Sequence, residues 1–154
     1  MRLYLLRHGE ADWPNWDRPD DERPLTERGK KEMRKVAKFL RELDVPLDDI
    51  LSSPLIRARQ TADIVADRFK LHVREEEQLA GGFAVSDLKQ LIQKYPVENL
   101  MVVGHEPNFT EVICTLTGAN CKMSKGGVAL IDLGEADMKG RLLWLLPPKV
   151  AKVF

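Results

Sequence analysis

The first ten residues constrain the fold more than any other stretch of this sequence. A short apolar run, Leu3-Tyr4-Leu5-Leu6, leads directly into Arg7-His8-Gly9-Glu10. Because the run is short and charged residues flank it, it predicts a buried strand of a parallel sheet rather than a signal peptide or a membrane span. Ligands of open α/β sheets bind beyond the carboxyl ends of the strands. We therefore expect Arg7 and His8 at the floor of a pocket, with Gly9 allowing a close backbone approach.

The rest of the chain alternates between strand and helix patterns. Helices are predicted at residues 26–43, 55–69, 86–94 and 108–117, the last capped by Asn108. Strands are predicted at residues 3–6, 49–53, 71–73, 99–104, 128–133 and 142–146. We expect the last two strands to form an antiparallel pair at one edge of the sheet. The pattern predicts one α/β domain over residues 1–154, a three-layer α/β/α sandwich whose mixed sheet is mainly parallel.

Charge and cysteine content exclude several classes of function. The 24 Lys and Arg residues balance the 24 Asp and Glu residues, so we expect no nucleic-acid binding and no attachment to a membrane surface. Cys114 and Cys121 fit neither a zinc-binding spacing nor a disulfide framework. These features predict a cytoplasmic protein that needs no metal or cofactor for its fold.

Positively charged groups follow three of the predicted strands. Arg7 and His8 follow the first strand, Arg57 lies in the first turn of the helix after residues 49–53, and His105 follows residues 99–104. In a parallel sheet these groups would converge. Guanidinium and imidazole groups together suit a phosphoryl dianion, and one neutral imidazole could attack phosphorus while the other stays protonated as a donor. A metal site that includes both histidines is disfavoured, because the arginines would repel a divalent cation.

Three ordered motifs carry a family resemblance over nearly the whole chain. They are Arg7-His8-Gly9-Glu10, the stretch from Ser52 to Ala62, and Gly104-His105-Glu106-Pro107, accompanied by Arg23-Pro24-Leu25-Thr26 and Gly29. This set resembles the histidine phosphatase superfamily. The resemblance implies a phosphoglycerate mutase-like fold without cofactor or metal, with His8 as the covalent nucleophile and with Arg7, Arg57 and His105 as phosphoryl ligands. Gly9 and Arg23 are further candidates for contact with the phosphate.

The short loops resemble the compact branch of protein phosphohistidine phosphatases more than the mutases, whose long insertions cover the pocket. Mutase-like members carry a glutamate general acid in a Leu-x-Glu setting, where this chain has Leu79-Ala80-Gly81. An alkoxide leaves poorly without a proton, whereas an imidazole nitrogen can be protonated before its bond to phosphorus breaks. The sequence therefore favours phosphohistidine as substrate, with Glu10, Glu77 and Glu106 as candidate substitutes for the missing acid.

Three functions remain open at this point. The first is a metal-independent phosphatase, expected to be a monomer, that removes phosphate from phosphohistidine in a protein through an intermediate on His8. The second is a phosphomonoesterase for a small phosphorylated substrate, with pocket walls from residues 11–24. The third is a module that binds phosphorylated proteins without turnover. Trp13 and Trp16 either frame the pocket mouth or pack the loop onto the domain, and residues 147–154 either pack back or join a dimer contact.

Overall fold

A six-stranded sheet forms the centre of the computed structural model, which describes residues 1–134 and 136–153. Its strands are β1 (Arg2–Arg7), β2 (Asp49–Ser52), β3 (Val73–Glu75), β4 (Asn99–Gly104), β5 (Val128–Leu133) and β6 (Gly140–Leu146). Four helices accompany it: α1 (Glu27–Glu42), α2 (Ile56–Phe69), α3 (Val85–Lys94) and α4 (Asn108–Thr117). The strand order is β3-β2-β4-β1-β5-β6, and only β5 runs antiparallel to both of its neighbours. The mixed, mainly parallel sheet with an antiparallel edge is thus confirmed.

Strand β1 is apolar at successive positions because both faces of the sheet are covered. Tyr4 and Leu6 pack into a core with α1 and α2, whereas Leu3 and Leu5 pack into a second core with α3 and α4. Successive side chains of a strand point to opposite faces, so burial on both faces removes the polar alternation of a half-exposed strand. Two helical layers around one sheet confirm the α/β/α sandwich.

Several boundaries differ from the predicted ones. Strand β3 begins at Val73 rather than at Leu71, because Lys70 ends α2 in a left-handed conformation and the Leu71 N–H still bonds to a helix carbonyl. Asn108 does not cap α4. It is the first residue of the helix, and the residue at the cap position, Pro107, makes no side-chain hydrogen bond. Residues Pro148–Val153 form a 3-10 helix against α1 with Ala151 buried, so this part of the tail packs back, and Phe154 lies outside the described residues. No helix in the described ranges is long and apolar enough to cross a bilayer.

The register of the central strands brings the three sequence motifs together. Arg7 in β1 lies opposite Gly104 in β4, and Ser52 in β2 lies opposite Val103. The backbone pairing extends one residue beyond each strand, since His8 N–H donates to Gly104 O at 3.1 Å and Ser53 N–H donates to Val103 O at 3.0 Å. The carboxyl ends of β1, β4 and β2 therefore meet at one edge of the sheet.

Candidate active site

His8 and His105 lie side by side at this edge. Their ring centroids are 5.3 Å apart with a tilt of 52°, and their exposed fractions are only 7% and 8%. They follow adjacent parallel strands at equivalent positions, which is why two residues 97 positions apart in sequence (105 − 8) become neighbours. The predicted convergence of the two histidines is present in the structure.

A backbone hydrogen bond fixes the orientation of the His8 ring. His8 Nδ1 lies 2.8 Å from the carbonyl oxygen of Gly9. A carbonyl oxygen only accepts hydrogen bonds, so Nδ1 carries the proton and Nε2 of the neutral ring keeps its lone pair. Within the described part of the chain, no second hydrogen bond restrains this ring. Nε2 is thus the nitrogen suited to attack on phosphorus.

The surroundings keep His8 neutral. Burial lowers the pKa of His8 to about 3; the Gly9 hydrogen bond opposes this shift, and the nearby His105, Arg57 and Arg7 reinforce it. Burial disfavours the charged imidazolium, and neighbouring positive charges disfavour it further. At neutral pH the ring therefore has the protonation state that a nucleophile requires.

His105 is held by a hydroxyl group from the neighbouring strand end. Its Nε2 lies 2.8 Å from Ser53 Oγ, and the same Oγ accepts the N–H of Leu55 at 3.2 Å. Burial, followed by the charge of Arg57, lowers the pKa of His105 to about 4. We expected this histidine to be protonated, but in this environment it is neutral as well, because burial opposes its charge as it does that of His8.

Gly9 positions His8 rather than offering an open amide. Its N–H donates to Thr61 Oγ1 at 3.1 Å, and Thr61 Oγ1 donates in turn to the Arg57 carbonyl at 2.8 Å. A side chain on Gly9 would meet Met33 Cγ at 2.7 Å. The geometry thus supports close packing and positioning by Gly9 in place of the phosphate contact we expected, since its donor is already engaged.

Arg7 and Arg57 present unpaired groups at the same edge. Arg7 is anchored by Nη1, which donates to the carbonyl of the buried Met123 at 2.9 Å. Among the described residues, three buried polar side-chain atoms lack a hydrogen-bond partner: Arg7 Nε, Arg57 Nε and His105 Nδ1. Unpaired buried polar groups are costly and call for an explanation. All three belong to residues that the resemblance assigns to phosphoryl binding.

Asp20 is a site residue that the sequence did not reveal. It lies in the 3-10 helix Asp20–Glu22, within the segment of residues 11–24 that was predicted to supply pocket walls. Arg57 donates through Nη2 to Asp20 Oδ2 at 3.1 Å and through Nη1 to the Asp20 carbonyl at 2.9 Å. Arg23 donates from Nε to the other carboxylate oxygen at 3.1 Å. Partial burial opposes the shift, but the hydrogen bond from Arg23 and the charge of Arg57 lower the pKa of Asp20.

The candidate acids are placed differently from one another. Glu10 accepts a hydrogen bond from the Thr26 hydroxyl at 2.8 Å. Glu106 accepts both the N–H and the hydroxyl of Thr110, which supports the first turn of α4 in place of the predicted Asn108 cap. Glu77 is exposed in the 3-10 helix Glu77–Leu79. Glu10 and Glu106 are hydrogen-bonded and Glu77 is exposed, so none of the three stands out as a general acid for ester hydrolysis.

A surface cavity of about 690 Å³ adjoins Asp20 and Arg23. Trp13 and Trp16 line it, with ring centroids 6.3 Å apart and with indole N–H groups that donate to the carbonyls of Pro24 and Pro19. The tryptophans therefore line a surface cavity that includes Asp20 and Arg23 but not His8, Arg57 or His105, and their hydrogen bonds hold the loop together. No group of three or more His, Cys, Asp or Glu side chains suited to a metal ion lies within residues 1–134 and 136–153.

Comparison with known proteins gives this arrangement a family. A family model described as the histidine phosphatase superfamily (branch 1) matches residues 3–81, which include His8 and Arg57. The chain belongs to the histidine phosphatase superfamily. His105 lies outside the matched residues and is joined to the motif by the pairing of β1 with β4.

This histidine phosphatase also resembles individual proteins along its whole length. It is 32% identical to an uncharacterized protein of Picosynechococcus sp., with 96% of this chain and 100% of the relative covered. It is 28% identical to the phosphohistidine phosphatase SixA of Escherichia coli, with 99% of each chain covered. A structure of the protein histidine phosphatase SixA complexed with tungstate matches with a TM-score of 0.87 and 25% identity, over 97% of this chain and 99% of that one. The phosphoglycerate mutase-like fold and the SixA-like branch are thus confirmed.

Proposed function

We propose that this enzyme removes the phosphoryl group from phosphohistidine in a protein, through a covalent intermediate on His8. The observation that carries the proposal is the neutral, oriented imidazole of His8, bonded through Nδ1 to Gly9 O at 2.8 Å beside His105 and the two arginines. This arrangement places a nucleophile next to groups that bind a dianion. The assignment of Arg7, Arg57 and His105 to phosphoryl binding, and of Arg23 to its outer edge, is part of the proposal.

The reaction has two displacement steps. His8 Nε2 attacks phosphorus, a new N–P bond forms, and the bond between phosphorus and the substrate imidazole breaks. The other ring nitrogen of the substrate histidine is protonated before the bond breaks, and the leaving nitrogen takes the electron pair of the N–P bond, so the substrate departs as a neutral histidine. Water then attacks the phosphoryl group on His8, the N–P bond breaks, and inorganic phosphate leaves while His8 is regenerated. Arg7 and Arg57 stabilise the charge on the equatorial oxygens in both steps.

Ser53 prepares His105 for the same dianion. If the Ser53 hydroxyl donates to His105 Nε2, the proton of the neutral ring lies on Nδ1, the buried atom that lacks a partner. Nδ1–H can then donate to a phosphoryl oxygen. The dianion would also raise the pKa of His105, because a nearby negative charge favours imidazolium. A neutral His105 in the absence of phosphate is thus compatible with its expected role as a donor.

The paired acids favour an imidazole leaving group over an alkoxide. Glu10 and Glu106 accept hydrogen bonds from Thr26 and Thr110, and Glu77 is exposed, so none of the three is a buried, unpaired carboxyl of the kind that would serve an alkyl ester as general acid. The surface cavity of about 690 Å³ adjoins the site through Asp20, which bonds to Arg57. SixA, which is named as a phosphohistidine phosphatase, has been crystallised with tungstate, a tetrahedral dianion like phosphate.

The same proposal covers the organisation of the protein. Residues 1–154 would act as one phosphatase domain, because both cores pack on a single sheet. We propose a monomer that works in the cytoplasm, where reduced thiols are stable, since Cys114 and Cys121 are both free.

The proposal is tested by phosphate release from a phosphohistidine-bearing protein and from a simple phosphate ester, side by side and with a metal chelator present. We expect preferential release from phosphohistidine. In a parallel rapid-quench experiment, the enzyme should carry an acid-labile, base-stable phosphoryl group that is lost in His8→Ala. Preferential ester hydrolysis would contradict the assignment of phosphohistidine as the substrate. Substantial turnover by His8→Ala would contradict a covalent intermediate on His8.

A further inference from the structure

The Arg57 guanidinium is already bound to an anion of the protein itself. Both of its terminal nitrogens donate to Asp20, Nη2 to the carboxylate at 3.1 Å and Nη1 to the backbone carbonyl at 2.9 Å. The Arg57 side chain is 9% exposed, whereas that of Asp20 is 64% exposed. A partly exposed carboxylate from a loop therefore covers a buried cation of the site.

A second arginine holds the same carboxylate. Arg23 Nε and Nη2 lie 3.1 Å and 3.0 Å from Asp20 Oδ1, so the two carboxylate oxygens of Asp20 bridge two guanidinium groups. Arginine binds carboxylate and phosphate with the same planar fork of donors, and the two anions compete for it. A phosphoryl group that binds the outer side of Arg57 through Nη2 must displace the Asp20 carboxylate from that nitrogen.

The arrangement leaves other donors unsatisfied. Arg7 Nε, Arg57 Nε and His105 Nδ1 are buried without partners in the described part of the chain while Asp20 occupies the Arg57 fork. A single carboxylate at the outer side of Arg57 satisfies none of these atoms, whereas a tetrahedral dianion offers several acceptor oxygens at once. A phosphoryl group that takes Nη2 of Arg57 as well as these atoms would therefore gain more hydrogen bonds than the Asp20 carboxylate supplies.

We propose that Asp20 is an internal competitor of the phosphoryl group, which lowers the affinity of the site for phosphate and speeds the departure of the product. The proposal rests on the proposed function, because it assigns Arg57 to phosphoryl binding. Substrate displaces the Asp20 carboxylate toward the cavity that Asp20 lines, and the carboxylate returns to Arg57 as phosphate leaves. No covalent bond changes in this exchange.

A different role for Asp20 predicts the opposite result. If Asp20 only positioned Arg57, with phosphate bound along the Nε edge, its removal would loosen Arg57 and weaken phosphate binding. The direction of the change in affinity therefore separates competition from positioning. Long-range charge needs its own control, and the adjacent Asp21 provides it, because Asp21 and Asp20 both act electrostatically on His105 but only Asp20 bonds to Arg57.

The experiment measures the dissociation constant of inorganic phosphate by calorimetry for the full-length wild-type enzyme, Asp20→Asn, Asp20→Ala, Asp21→Asn and Arg57→Gln. We expect both Asp20 variants to bind phosphate about five- to tenfold more tightly. Asp21→Asn should stay within about twofold of the wild type, since exposed charges are screened. Arg57→Gln should lose most of the binding.

Each contrary outcome has a distinct meaning. Equal or weaker phosphate binding by Asp20→Asn and Asp20→Ala, with binding lost in Arg57→Gln, would overturn the competitor role and leave the proposed function intact. An equal gain in Asp21→Asn would also overturn it, because a general charge effect would then suffice. Wild-type affinity in Arg57→Gln, or no binding by any of the proteins, would remove the phosphoryl site and the proposed function together.

Discussion

The Thr61 hydroxyl lies 3.1 Å from the Gly9 amide nitrogen, although 52 residues separate them in the sequence. Through this contact, helix α2 holds the residue whose carbonyl orients His8. Thr61 is fully buried, and its own proton goes to the Arg57 carbonyl. One hydroxyl therefore ties the proposed nucleophile, His8, to the backbone of Arg57, the proposed phosphate ligand.

Replacing Thr61 tests this link. Thr61→Val keeps the shape but leaves the buried Gly9 N–H without an acceptor, so we expect a loss of about 1–3 kcal/mol in the free energy of unfolding. Displacement of His8 should reduce kcat/KM by about ten- to hundredfold. Thr61→Ser keeps the hydroxyl and should retain most of the activity. Urea unfolding and phosphate-release assays on both variants decide the matter, and equal activity of the two would contradict the link.

The proposed role of His8 as nucleophile is tested directly by His8→Ala. Removal of the imidazole should abolish turnover, because no other group takes its place as nucleophile. The protein should stay folded, because only one hydrogen bond within the described residues restrains the ring. Circular dichroism should show a folded chain, and phosphate release should fall to background. His72→Ala is the matched control, since His72 is exposed and lies outside the site, and it should retain wild-type activity.

Ser53→Ala tests the support of His105. The variant removes the group 2.8 Å from His105 Nε2, so the ring loses its fixed orientation and its preferred tautomer. We expect kcat/KM to fall about tenfold, which corresponds to the free energy of one hydrogen bond in a buried site. Ser86→Ala, an exposed substitution in α3, serves as the control. Unchanged kinetics in Ser53→Ala would show that Ser53 serves only the turn before α2.

The two neutral histidines predict a loss of stability in mild acid. Their pKa values fall from 6.5 to about 3 for His8 and about 4 for His105, so the unfolded chain binds more protons than the folded one below pH 6.5. The stabilisation is complete above that pH and is lost as the pH falls toward the folded pKa values. Urea unfolding at pH 7.5 and pH 5 should differ by about 2–4 kcal/mol. His8→Asn should reduce this difference.

Gly29 in the first turn of α1 makes a close contact with the loop after β1. A Cβ at this position would lie 2.2 Å from the Glu10 carbonyl oxygen. The backbone would have to move to relieve this clash. Although alanine favours helices, we expect Gly29→Ala to destabilise the fold by about 1–3 kcal/mol. Gly81→Ala, with nothing within 4 Å of the added atom, should change the melting temperature very little. Equal effects would contradict the role of the contact.

Much of the secondary structure followed from the sequence because its signals are local. The apolar run of β1, the similar run of β4 and the spacing of apolar residues in α1 are each encoded within one segment. The boundaries that were wrong depended on hydrogen bonds at the helix ends, which the spacing of apolar residues does not report: Glu106, rather than Asn108, supports the first turn of α4. A side chain outside the helix supplied the acceptor that the local pattern assigned to a residue inside it.

The grouping of candidate site residues at the ends of the strands could also be predicted from the sequence. The sequence identified Arg7, His8, Arg57 and His105 because each follows a predicted strand or opens the next helix, and because parallel strands direct their carboxyl ends to one edge. Only the tertiary structure decided that β1 and β4 are neighbours, which brings the two histidine rings to 5.3 Å. Burial in that arrangement lowers both histidine pKa values, and burial is a property of the folded surroundings.

The tertiary structure alone also determined which anion Arg57 contacts. Asp20 is 37 residues away along the chain, in a loop that carries several carboxylates with no periodic pattern. Periodicity and motif spacing report on neighbours within a segment, whereas a hydrogen bond between distant side chains depends on the path of the whole chain. The sequence therefore specified the strands, the helices and the chemical groups at the site, and the fold decided which of those groups are paired and which are left for a ligand.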